Sequence, residues 1–151
     1  MSEAKGDYET LINQYLRPDQ LGSGFWGDQI GAGWWPLLEH FLQRAAVFEG
    51  LSLLRVKEKF GGLRIDWHLK VENQHHRRRL EALTQAAMSI SSQTCELCGS
   101  GQRVGQTRGG WVKTICFACF SGGALPSATS LRVMANLRRD GSLLLDEADA
   151  Q

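Results

Sequence analysis

Four cysteines carry the clearest chemistry in the sequence. They fall in two pairs, Cys95-x-x-Cys98 and Cys116-x-x-Cys119, with seventeen residues between the pairs. A CxxC on a tight turn sets two thiolates on one side of the backbone, and two such knuckles complete a tetrahedron around Zn²⁺. Gly99 follows the first knuckle, where a residue free to take positive φ lets backbone amides turn toward sulfur. Three other uses of four cysteines fit less well. Two disulfides suit a small secreted scaffold, which this chain does not resemble. A redox CxxC wants a thioredoxin-like βαβ setting, and iron–sulfur clusters usually have different spacing. One zinc ion per chain is therefore expected. Four thiolates fill its coordination shell, no histidine lies within the module, and the zinc is expected to be structural and not catalytic.

Other residues that can do chemistry are less specific. Gly22-Ser-Gly24-Phe-Trp-Gly27 matches G-x-G-x-x-G as a string. A dinucleotide site needs a strand before it and a helix opening at its end, and neither is expected here. The glycines are read instead as letting Phe25, Trp26, Trp34 and Trp35 tuck against a core. His40 and His68 have no acid or nucleophile at readable spacing, and no paired-acid, nucleophile-elbow or phosphate-loop motif occurs, so no catalytic residue is nominated and an enzyme is not expected. Basic residues are concentrated from Arg55 to Arg79, eight of them against Glu58, Asp66 and Glu72. Arg55, Lys57, Lys59, Arg77, Arg78 and Arg79 are the candidate partner-binding residues, and their convergence on one exposed face is the structural question. Residues 140–151 carry Asp140, Asp146, Glu147 and Asp149 and no base.

The elements that must position these groups follow from periodicity. Asp7 reads as the N-cap of a helix to Leu16, ended by Pro18. Residues 21–33 read as an ordered glycine-rich loop. Pro36 opens a helix whose Leu37, Leu38, Phe41, Leu42, Ala45 and Phe48 share one face, with Gly50 as its stop. Leu54, Val56 and Phe60 alternate with basic residues, interrupted by Glu58, and Leu63, Ile65, Trp67 and Leu69 alternate strictly. Joined by Gly61-Gly62, they predict a β-hairpin with a primed two-residue turn. A helix follows over about 72–92, with Leu80, Leu83, Ala87 and Ile90 on its apolar stripe. In the cysteine module, residues 104–107 and 111–115 pair across Arg108-Gly109-Gly110 as a zinc ribbon. A last helix is expected over 127–139.

Composition sets the frame. The chain has 151 residues, 42% apolar and 22% charged, and a net charge of +1 from 17 basic and 16 acidic side chains. That is ordinary globular composition, less basic than a dedicated nucleic-acid binder. No stretch of 18 apolar residues and no apolar or Arg-rich leader occurs, so no membrane association is expected and the cytoplasm is the expected compartment.

The fold class expected is α+β: a small antiparallel sheet flanked by helices, with a four-cysteine zinc-ribbon hairpin. Its parts are an α+β body over 1–93, a zinc ribbon packed on it over 94–123, and a C-terminal helix and acidic tail over 124–151. The ordered blocks GWWPLLEHFLQ (33–43), RVKEKFGGLRIDW (55–67), CELCG (95–99) and GGWVKTICFAC (109–119) together resemble a family of small, mostly uncharacterised proteins of bacteria and their phages. The resemblance covers roughly residues 24–120. It implies an α+β body with a zinc ribbon, and a setting of inter-bacterial conflict in which some members serve as immunity proteins. The resemblance carries no agreed activity; taken with the lack of a catalytic motif and the near-neutral charge, the expected function is binding and neutralising a toxin encoded beside it, and a nucleic-acid-binding zinc ribbon is the alternative.

Overall fold

The structure is a computed structural model describing residues 2–26, 30–109, 112–124 and 130–133, with the side chains of 2–8, 23–26 and 133 left aside. Helix α1 (Ser2–Tyr15) begins before Asp7, which lies inside it and is not its cap. A short 3-10 turn at Pro18–Gln20 leads into strand β1 (Leu21–Trp26). A second such turn, Ala32–Trp34, leads into α2 (Trp35–Ala45), with Pro36 in its first turn as expected. Strands β2 (Leu51–Lys59) and β3 (Gly62–Leu69) form the hairpin, and α3 (Gln74–Ser91) follows, capped by Asn73 Oδ1 accepting from the His76 N–H at 3.1 Å. Then come β4 (Val104–Arg108), β5 (Thr114–Cys116), the short α4 (Phe117–Ser121) and β6 (Ser130–Val133). The fold is α+β. No helix among the described residues is long and apolar enough to cross a membrane.

Two three-stranded sheets organise the described residues, in the orders β1-β2-β3 and β5-β4-β6. The first is mixed. β1 runs parallel to β2, so the segment read as a loop is a strand, and α2 is the crossover that a parallel pair requires. The β2–β3 pair is antiparallel, but its turn sits one residue earlier than Gly61-Gly62. Lys59 pairs with Gly62, so the two turn residues are Phe60 and Gly61, both at positive φ (54° and 79°). A register irregularity between Leu53 and Arg55 also changes which side chains turn inward. Leu51, Leu53 and Val56 are buried, whereas Leu54 and Phe60, read as core-facing, are exposed. In the last segment Ser130–Val133 pair with β4 as a strand, where the sequence pattern predicts a helix; the remainder of that helix lies outside the described residues.

The main core lies between one face of the first sheet and helices α1, α2 and α3. Trp34, Leu38, Phe41, Leu42, Leu53, Val56, Leu63, Leu80 and Leu83 are all buried there. Removing each large apolar side chain from water stabilises the fold by about 1.5–3 kcal/mol. Trp35 packs against this core, as does Trp67, whose Nε1 donates to Thr84 Oγ1 on α3 at 2.7 Å. The ribbon core is far smaller. Val104, Ile115, Cys95 and Cys116 are its buried members, with Cys119, Phe120 and Leu131 packed around them. Among the described residues this is a small apolar set to weigh against the entropy of ordering the segment.

Candidate metal centre

The first knuckle grows directly from α3. Past Ser91 the chain turns, with Thr94 Oγ1 donating to the Ile90 carbonyl, and Trp34 Nε1 donates to the Thr94 carbonyl at 2.8 Å. Cys95 to Gly99 then fold into the knuckle. The Gly99 N–H donates to the Cys95 carbonyl at 2.9 Å, and Gly99 itself holds φ +83°, as its position after CELC predicts. The second knuckle begins where β5 ends. Cys116 caps α4, with Val104 opposite it in β4. The Glu96 N–H donates to the Thr114 carbonyl at 3.0 Å, tying the two knuckles together.

This brings all four sulfurs into one cluster, each Sγ within 4.8 Å of every other. Cys95 and Cys119 Sγ are 3.8 Å apart, and Cys98 and Cys116 Sγ 3.6 Å. A tetrahedron with metal–sulfur bonds of about 2.3 Å has edges of about 3.8 Å. Within each knuckle the backbone supports the first sulfur: the Cys98 N–H points to Cys95 Sγ and the Cys119 N–H to Cys116 Sγ, both at 3.5 Å. Burial pushes the Cys98 thiol up, and the sulfurs of Cys116 and Cys95 add to it. Burial and the three neighbouring sulfurs push Cys119 up as well. At Cys116 burial pushes upward too, but the Cys119 N–H and the other sulfurs outweigh it and hold the thiol low. Crowded sulfurs cannot all ionise beside one another unless a cation neutralises them. The four cysteines fit a single metal ion, and their number fills a tetrahedral shell.

The cluster is locked to the body by groups the sequence did not single out. Gly33 lies against the knuckle so closely that a Cβ there would strike the Cys95 carbonyl and the Gly99 nitrogen. Its N–H donates to the Glu96 carbonyl at 2.8 Å, and the Gly31 N–H donates to Glu96 Oε2 at 3.0 Å. On the other side Thr114 Oγ1 donates to the Gly61 carbonyl at the hairpin tip. Lys113 Nζ lies near both Glu58 and Glu96. The available signal was Glu58, an acid on the inward face of a strand, which requires a partner.

The candidate basic residues are not brought together. The pleat puts Arg55, Lys57 and Lys59 on the face of the first sheet opposite the helices. Arg77 lies on the helix side, its guanidinium 5.8 Å from the Trp67 ring and paired with Glu72 at 3.1 Å. Arg79 is over the Phe48 ring at 5.0 Å, and Arg78 is exposed. The six therefore form two groups on opposite sides. His40 Nδ1 is buried with no hydrogen-bond partner among the described residues, and His68 lies exposed opposite Ser52. Trp111 and the acidic residues 140–149 lie outside the described residues. The chain matches no protein-family model, no curated protein and no solved structure.

Proposed function

We propose that Cys95, Cys98, Cys116 and Cys119 hold one structural zinc ion, and that the chain is a cytoplasmic protein-interaction module acting as an inhibitor, of the immunity-protein kind, of a toxin encoded beside it. The observation that carries the metal half is the convergence of four sulfurs at tetrahedral spacing, with backbone N–H groups aimed at two of them. All-sulfur coordination favours zinc among abundant divalent ions and leaves no position for a reacting water. The interaction half is supported by what the clasp holds still. It fixes the tip of a sheet whose outer face is charged, a rigid surface with little ordering to lose on binding. The toxin-inhibitor reading rests on the family resemblance. It is tested by co-expressing the chain with the product of the adjacent reading frame. Survival of cells and a stable complex support it; a product that is harmless, or that kills regardless, defeats it. One observation favours nucleic acid instead, the row Arg55, Lys57 and Lys59 on one strand face. That reading predicts affinity falling steeply with salt through counterion release.

A further inference from the structure

We infer that the outer face of the first sheet, from Arg55 through Lys57, Lys59 and Arg64 to the Phe60 tip, is a docking surface for a protein partner presenting carboxylates around an apolar recess. The inference rests on the reading of the chain as a protein-interaction module and names its surface.

Two features of this face work against the fold that carries them. Lys57 lies directly opposite Arg64 in the antiparallel register, and like charges in that relation destabilise a sheet. Phe60 occupies a turn position with φ +54°, where glycine or asparagine is at ease and a bulky side chain is not. The residue is 71% exposed, so little burial offsets the backbone cost. Local choices that oppose the fold and cluster on one surface are expected where binding requires them.

The same tip is held rigidly from behind. Gly61, the next residue, is buried: its N–H donates to Glu58 Oε1 at 2.8 Å and its carbonyl accepts from Thr114. Lys59 Nζ lies 5.7 Å from the centre of the Phe60 ring, so cation and aromatic are presented as one unit. A preorganised aromatic beside cations has the character of an interface hot spot.

A protein fits this face better than a phosphate backbone. Asp66, paired with Arg55 across the strands, puts a carboxylate inside the basic row, and Leu54 is 40% exposed beside it. Phosphates following the row would meet Asp66, whereas a folded partner can answer it with one donor and cover Leu54 and Phe60 with apolar atoms.

The test uses the full chain loaded with zinc, and the variants Phe60→Asn and Lys57→Glu. Two probes are titrated while backbone amides are followed by NMR: a synthetic glutamate-rich peptide with a central Leu-Leu, and a single-stranded oligonucleotide. Each substitution is expected to raise the melting temperature by roughly 2–4 °C. The peptide is expected to shift the amides of Leu54–Phe60 and Arg64, with affinity falling at least roughly tenfold in either variant. Unchanged or lower melting temperatures, peptide shifts elsewhere or none, retained affinity in the variants, or tighter binding of the oligonucleotide would each overturn the inference. In the co-expression assay, protection that survives both substitutions removes this surface but leaves the inhibitor reading standing. Absence of protection by the unsubstituted chain removes the inhibitor reading instead.

Discussion

Lys113 Nζ lies 3.6 Å from Glu58 Oε2 and 3.4 Å from Glu96 Oε1, so one ammonium from the ribbon joins the β-hairpin tip to the first cysteine knuckle. The two carboxylates are nearly buried, their side chains 9% and 4% exposed, and Lys113 is 27% exposed. Each acid also accepts a backbone N–H, Glu58 from Gly61 and Glu96 from Gly31. Stripping away the shared cation would leave two inward-facing negative charges with less than they need. Lys113→Met is therefore expected to destabilise the metal-loaded protein by about 2–3 kcal/mol, below the full range for a buried pair because the lysine is partly wet. Adding Glu58→Gln should recover part of that loss. Denaturant unfolding of the single and double variants checks the sign; independent, additive losses would mean the groups do not act together.

Gly33→Ala is expected to weaken metal binding without touching a ligand. Its new Cβ meets backbone of the knuckle and not a side chain that can swing aside. Displacing a supporting group behind metal ligands lowers affinity by roughly 10- to 100-fold. Competition with a chromophoric chelator measures this, and unchanged affinity would mean that the knuckle is positioned by the metal alone.

Trp34→Phe keeps most of the buried ring but deletes the donor to the Thr94 carbonyl. Losing that hydrogen bond is expected to cost about 0.5–1.5 kcal/mol. Urea unfolding reads the difference.

Metal removal should divide the chain. A chelator, or Cys98→Ser, is expected to strip hydrogen-exchange protection from residues 95–121 while the core around Phe41, Leu53 and Leu83 stays protected. The reason is the contrast, among the described residues, between a body with many buried apolar groups and a ribbon with few. Loss of protection throughout would show that the ribbon's bonds to Gly33, Gly61 and Glu58 carry more of the body than its own core does.

The four-cysteine cluster and the main helices were legible because their signals are local. CxxC spacing, the proline at the start of α2 and the stripe Leu80, Leu83, Ala87, Ile90 each act within a few turns of chain. The features that escaped depend on partners far away in sequence. β1 is glycine-rich without alternation and exists as a strand because β2 lies beside it. Ser130–Val133 carry a helix-compatible pattern yet pair with β4. The hairpin turn falls on Phe60-Gly61 with Gly62 already in the strand, and the register irregularity at Leu53–Arg55 lets Leu53 and Val56 both face inward while Leu54 stays outside. Charge identified the basic residues, but only the pleat separates Arg55, Lys57 and Lys59 from Arg77 and Arg79.

X-ray absorption at the zinc edge, with metal content measured on the same purified sample, tests the central claim most directly. One zinc per chain, surrounded by four sulfurs at about 2.3 Å, is the result predicted. A substoichiometric metal, or a shell containing oxygen or nitrogen in place of a sulfur, would contradict it.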